Sequence, residues 1–158
     1  MNRFEISDAD KVDWTGTINN VNRFSTIPNV VSGLRVKSNT CNEEISTVDL
    51  SRFDFVKKVE VGSNSLLHVN RLMMNGLNKL TEVSIGEGSL NNTRELTIGS
   101  NSLNHVDLQS IDLKPFANLR TLSIGSNSLQ STKHILTSTM HDLQSFSVGS
   151  SSMINLIK

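Results

Sequence analysis

Along this chain apolar residues recur in pairs two positions apart, and the pairs return about every dozen residues. Ten segments superimpose from residue 31 onward, starting at residues 31, 45, 56, 69, 80, 93, 108, 119, 132 and 143. The residue three places after each start is apolar in all ten, and the residue five places after it in nine, Thr137 being the exception. Side chains two residues apart share one face of an extended strand. Val, Ile and Leu fill most of these places, as a buried strand face prefers. The pattern predicts ten short strands, each burying one face and each followed by a bend.

The bends are of two kinds. Long segments run from the strand into a glycine, as in Val61-Gly62-Ser63-Asn64-Ser65-Leu66, Ile98-Gly99-Ser100-Asn101-Ser102-Leu103 and Ile124-Gly125-Ser126-Asn127-Ser128-Leu129. Looser copies are Ile85-Gly86-Glu87-Gly88-Ser89-Leu90 and Val148-Gly149-Ser150-Ser151-Ser152-Met153. The glycine is read as the residue that permits a positive-φ turn. Asn39, Asn64, Asn101 and Asn127 are read as amides turned inward to satisfy the bend, stacked Asn over Asn. In the short segments Phe53, Leu77, Phe116 and Met140 take that place, so packing closes those bends.

Leu119-x-x-Leu122-x-Ile124-x-x-Asn127-x-Leu129 resembles the leucine-rich repeat, and the Ile-Gly-x-x-Ser-Leu flavour is similar to its BspA-like subclass. The resemblance covers residues 31–153. It implies a mainly β solenoid of coils about 24 residues long, and a broad sheet presented to a protein partner. A lone coil of this size cannot bury enough apolar surface to fold, so stability must come from stacking.

One irregularity sets the topology. Long and short segments alternate until the long segment at 80 is followed by a second long one at 93, and thirteen residues are too few for a coil that returns to the same sheet. The motifs are therefore expected to exchange sides. Strands near 34–36, 59–61, 83–85, 111–113 and 135–137 would form one parallel sheet, and strands near 48–50, 72–74, 96–98, 122–124 and 146–148 a second. Irregular short segments would instead give a single-sheet curved horseshoe. Lys58 would lie beside Glu82 on the first sheet, and Arg71 beside Glu95 on the second.

Residues 1–30 lack the repeat but hold Phe4, Ile6, Val12, Trp14, Ile18 and Val21, which suits an N-terminal cap. Residues 31–158 are read as the solenoid with an open C-terminal edge, where Ile154, Leu156 and Ile157 are candidate edge contacts. Outward positions that would meet a partner are Arg35, Lys58, Glu60, Glu82 and Ser84 on one sheet, and Arg71, Met73, Glu95, Thr97 and Thr121 on the other. Met73 and Leu136 are the apolar residues among the outward positions.

Composition narrows the function. Fifteen basic residues balance fifteen acidic ones, which leaves no basic stripe for nucleic-acid phosphates or for anionic lipid. No apolar run approaches the ~18 residues of a membrane span, and the first residues lack the apolar core of a signal peptide. Cys41 is the single cysteine, so no intrachain disulfide forms, and a reducing compartment, the cytoplasm, is the expected location. Cys41 takes the place of Leu66 and Leu129 and is read as a buried filler. His68, His105, His134 and His141 have no zinc-site spacing. The Gly-Ser-Asn bends lack the lysine and helix of a phosphate loop, and no serine stands in a nucleophile elbow. Thr121, Ser123, Ser145 and Ser147 make a hydroxyl array resembling that of ice-binding solenoids, but it ends at Glu95 and Arg71. No cofactor, metal or catalysis is expected. The leading expectation is a non-enzymatic protein–protein interaction module, and the alternative a structural protein that self-associates through its uncapped edge into a homo-oligomer.

Overall fold

The computed structural model describes residues 15–137 and 140–156. Trp14, Phe4, Ile6 and Val12 of the expected cap, and Ile157 of the expected edge, lie outside them. The described chain is a mainly β solenoid of about five turns of ~24 residues. Its strands are β1 (Thr15–Ile18), β2 (Gly33–Val36), β3 (Thr47–Asp49), β4 (Lys58–Val61), β5 (Arg71–Met74), β6 (Glu82–Ile85), β7 (Glu95–Ile98), β8 (Ser110–Asp112), β9 (Thr121–Ile124), β10 (His134–Leu136) and β11 (Ser145–Val148). One short helix, α1 (Arg23–Thr26), lies between β1 and β2.

All pairing is parallel. β3, β5, β7, β9 and β11 form one sheet, in the order read from the sequence, with Val48, Leu72, Leu96, Leu122 and Phe146 in one row. The long-segment strands β7 and β9 continue the row of the short-segment strands β3 and β5, so the exchange of sides is present. Leu34, Val59, Leu72, Leu96 and Leu122 are buried, as are the residues two places on, Val36, Val61, Met74, Ile98 and Ile124. The first row departs from the expectation in two ways. β1 adds a strand to its start, with Ile18 opposite Val36, and the row is broken: β1, β2, β4 and β6 form one sheet, β8 and β10 another.

The break follows from the exchange. Leu34 to Val59 and Val59 to Val83 are steps of 25 and 24 residues, whereas Val83 to Ile111 is a step of 28. In that coil both sides carry a long bend, residues 86–90 and 99–103, where the two coils before it, from Leu34 to Val83, each pair one long bend with one short. The wider coil carries β8 away from β6, and the ladder stops.

Two readings of the bend are corrected. Positive φ falls on the asparagine and on the residue two places later, as in Asn64 and Leu66, Asn101 and Leu103, and Asn127 and Leu129. It does not fall on the glycine after the strand. That glycine is required by the neighbouring coil: a Cβ on Gly125 would meet Ser100 N at 2.4 Å, and one on Gly62 would meet Ser38 N at 2.4 Å. The asparagines point outward, exposed. The inward polar ladder is serine. Ser65, Ser89, Ser102 and Ser128 are fully or almost fully buried. Ser128 Oγ donates to Gly99 O at 2.6 Å and accepts from Ser102 N at 3.1 Å, and Ser152 Oγ repeats this on Gly125 O and Ser128 N. A hydroxyl both donates and accepts, so one serine per coil satisfies a carbonyl of the coil before it and the serine N–H of that coil. An outer amide ladder follows, in which Asn104 Nδ2 donates to Asn127 O at 2.7 Å and Asn104 Oδ1 accepts from Gln130 N at 3.0 Å.

Candidate interaction surfaces

Outward side chains on β2, β4 and β6 form a chain of ion pairs. Glu60 receives Arg35 Nε at 2.8 Å and Lys58 Nζ at 2.8 Å, and Lys58 lies 3.8 Å from Glu82. Their rows are those of the ladder, Gly33–Lys58–Glu82 and Arg35–Glu60–Ser84. The Lys58 ammonium and then the Arg35 guanidinium hold the Glu60 carboxyl below the ordinary carboxylate range. The hydrogen bond to Glu60 raises Lys58 in return. This face spends its charge on itself, and it has no apolar residue between the charges.

The five-stranded sheet presents a different face. One outward row runs Thr47, Arg71, Glu95, Thr121, Ser145, and the other Asp49, Met73, Thr97, Ser123, Ser147. Arg71 Nε donates to Glu95 at 2.7 Å. Met73, Glu95, Thr97, Thr121 and Ser123 are half-buried among their neighbours, and past the ion pair the surface is made of small hydroxyl side chains. Of the residues singled out from sequence, Lys58, Glu60 and Glu82 thus share one sheet, and Arg71, Met73, Glu95, Thr97 and Thr121 the other. They do not converge on one site. Compared with protein-family models, curated proteins and solved structures, the chain matches none of them.

Other candidates fall where their surroundings place them. Cys41 is buried, and burial pushes its thiol up. His68, His134 and His141 are exposed, and His105 Nδ1 accepts from Asp107 N at 3.1 Å. Among the described residues no three His, Cys, Asp or Glu side chains group as a metal site, and no helix is long and apolar enough to cross a membrane.

Apolar surface is exposed in three places, of which the broken first row was not expected from the sequence. At the last coil Phe146 and Val148 point to the core side of β11 yet are 56% and 39% exposed, and Ile154 and Leu156 are exposed as well. Leu136, singled out from sequence, is exposed on β10. Where the first row breaks, Val83, Ile85 and Ile111 are half-exposed, although their counterparts Val59 and Val61 are buried. Val83, Ile85 and Ile111 border a core cavity of about 50 Å³ that is also lined by Leu34, Val59, Leu72 and Phe116. Its only sequence signal is the 28-residue step. Arg52 was passed over entirely: its guanidinium donates to Phe24 O at 2.8 Å and to Ile27 O, and lies 4.3 Å over the Phe53 ring. It fastens the α1 segment to the first full coil.

Proposed function

We propose that this chain is a non-enzymatic interaction module, of leucine-rich-repeat type, that binds a protein partner on the outer face of its five-stranded sheet. The observation that carries the reading is the continuous row of Met73, Thr97 and Ser123, with Thr121, beside the Arg71–Glu95 pair on one unbroken five-stranded sheet. Small side chains held by a ladder lose little freedom when covered, so a partner meets a rigid surface. Repeat spacing and the glycine after each long strand support kinship with leucine-rich repeats. The inward serine, where that family's pattern leads one to expect asparagine, is a departure from it.

The experiment is affinity capture from the native source with three baits: wild type, Thr97→Arg/Thr121→Arg, and Ser84→Arg on the opposite sheet. A partner held by wild type and by the Ser84 variant but lost by the double variant supports the reading. A partner retained by all three baits contradicts it.

A second reading, self-association through the last coil, is favoured by the exposed Phe146, Val148 and Ile154. Light scattering of wild type against Phe146→Lys/Ile154→Lys separates the two. An oligomer that the substitutions dissociate supports self-association, and a wild type that stays monomeric at high concentration removes it.

A further inference from the structure

We infer that the break between β6 and β8 is a binding slot for an extended peptide, which enters as an additional parallel strand with small apolar side chains inward and basic side chains outward. In a parallel ladder, alternate residues direct their N–H and C=O groups to opposite neighbours. On β6, Glu82 N donates to Lys57 O and Gly86 N to Val61 O, so residues 82, 84 and 86 face β4. Val83 and Ile85 therefore turn their backbone groups toward β8. On β8, Gln109 O accepts from His134 N and Leu113 N donates to Leu136 O, so residues 109, 111 and 113 face β10. Ser110 and Asp112 therefore turn theirs toward β6. Two strand edges of the same direction face each other across the break with no ladder between them. Elsewhere in a fold an open edge is covered, charged or cut short.

The side chains define the occupant. Inward, Val83, Ile85 and Ile111 are apolar and only half-buried, and they border a core cavity of only about 50 Å³, so small aliphatic side chains suit the inward positions of the peptide. Outward, β6 and β8 each offer one carboxylate, Glu82 on β6 and Asp112 on β8, where one Asp112 oxygen already accepts the Lys114 N–H at 2.9 Å. Glu82 is mostly exposed, and its ion pair with Lys58, at 3.8 Å, is the longest of the chain on that sheet. A lysine or arginine at each outward position of the peptide would meet a carboxylate one rung away, the geometry in which opposite charges on neighbouring strands stabilise a sheet. Main-chain bonding with alternate side chains in a pocket is the β-augmentation mode of peptide recognition.

The slot and the outer face of the five-stranded sheet are separate surfaces, so either can fail alone. The probe is a fluorescent seven-residue peptide alternating lysine and valine. It is titrated into the full chain beside the same peptide with glutamate for lysine, and beside one with alternate backbone nitrogens methylated. The expected result has three parts. The lysine peptide binds ~3- to 10-fold tighter than the glutamate peptide, as two opposite-charge pairs allow. The variant Glu82→Lys/Asp112→Lys reverses that preference. Backbone methylation abolishes binding, and bound peptide slows amide exchange at Val83, Ile85, Ser110 and Asp112. A charge preference that survives the double substitution overturns the inference. So does binding indifferent to methylation, or protection that arises on the free edge of β11 instead.

Discussion

At the level of single residues, the bend is a division of labour among three neighbours. Glycine lets two coils approach, asparagine takes the left-handed backbone, and serine supplies the inward hydroxyl. Ser128→Ala should therefore lower stability by about 2 kcal/mol, because it orphans two buried backbone groups, Gly99 C=O and Ser102 N–H. Asn127→Gly next to it should change stability by only a few tenths, since Asn127 is exposed and glycine accepts its φ of 58°. Urea denaturation of the two variants checks the contrast, and an equal loss in both would contradict it. Cys41 belongs to the same scale. Buried and with its thiol pushed up, it should react with a thiol reagent slowly in the native protein and rapidly in urea. The repeated Gly-Ser-Asn-Ser string was plain in the sequence, but which member turned inward was not. That choice depends on φ at residues 64 and 66 and their equivalents, and leucine or cysteine at positive φ is a conformation that propensity argues against.

Strands and bends together decide where the ladder holds. Inward strand positions were legible because burial repeats at Leu34 and Val36, Leu72 and Met74, and Leu122 and Ile124, a periodicity that only an extended backbone satisfies. β1 was not legible, for Thr15–Ile18 offers one described inward aliphatic, Ile18, and no glycine bend after it. The broken row was legible only as a longer step, since spacing reveals extra chain without saying which neighbour it separates. Amide exchange tests the break. Val59 and Val61, whose N–H groups face β6, should be protected, while Val83 and Ile85 should exchange quickly in the unliganded protein. Equal protection at all four would mean that β6 and β8 pair. The ion pairs contribute at this scale too, weakly, because they are exposed. Glu60 has a lowered folded value, so its contribution is complete above the ordinary carboxylate range and is lost as pH falls through that lowered value. Glu60→Gln should be slightly less stable than wild type at neutral pH, and urea midpoints should converge in acid.

For the whole molecule, stacking is the source of stability and of surface. Each coil completes the hydrogen bonds of the one before it, through Ser128 to Gly99 and Ser152 to Gly125, so the solenoid is cooperative along its axis. The exchange of long bends from one side to the other at residues 86–103 keeps the second sheet continuous over five strands and interrupts the first. Both proposed binding surfaces descend from that one event: the continuous face and the slot. The exchange is thus the claim on which the rest depends, and backbone proton contacts across the ladders test it directly. Leu96 should contact Leu72 on one side and Leu122 on the other, while Val83 contacts Val59 and not Ile111. Cross-strand contacts joining Val83 to Leu96 or to Leu122 would contradict the account.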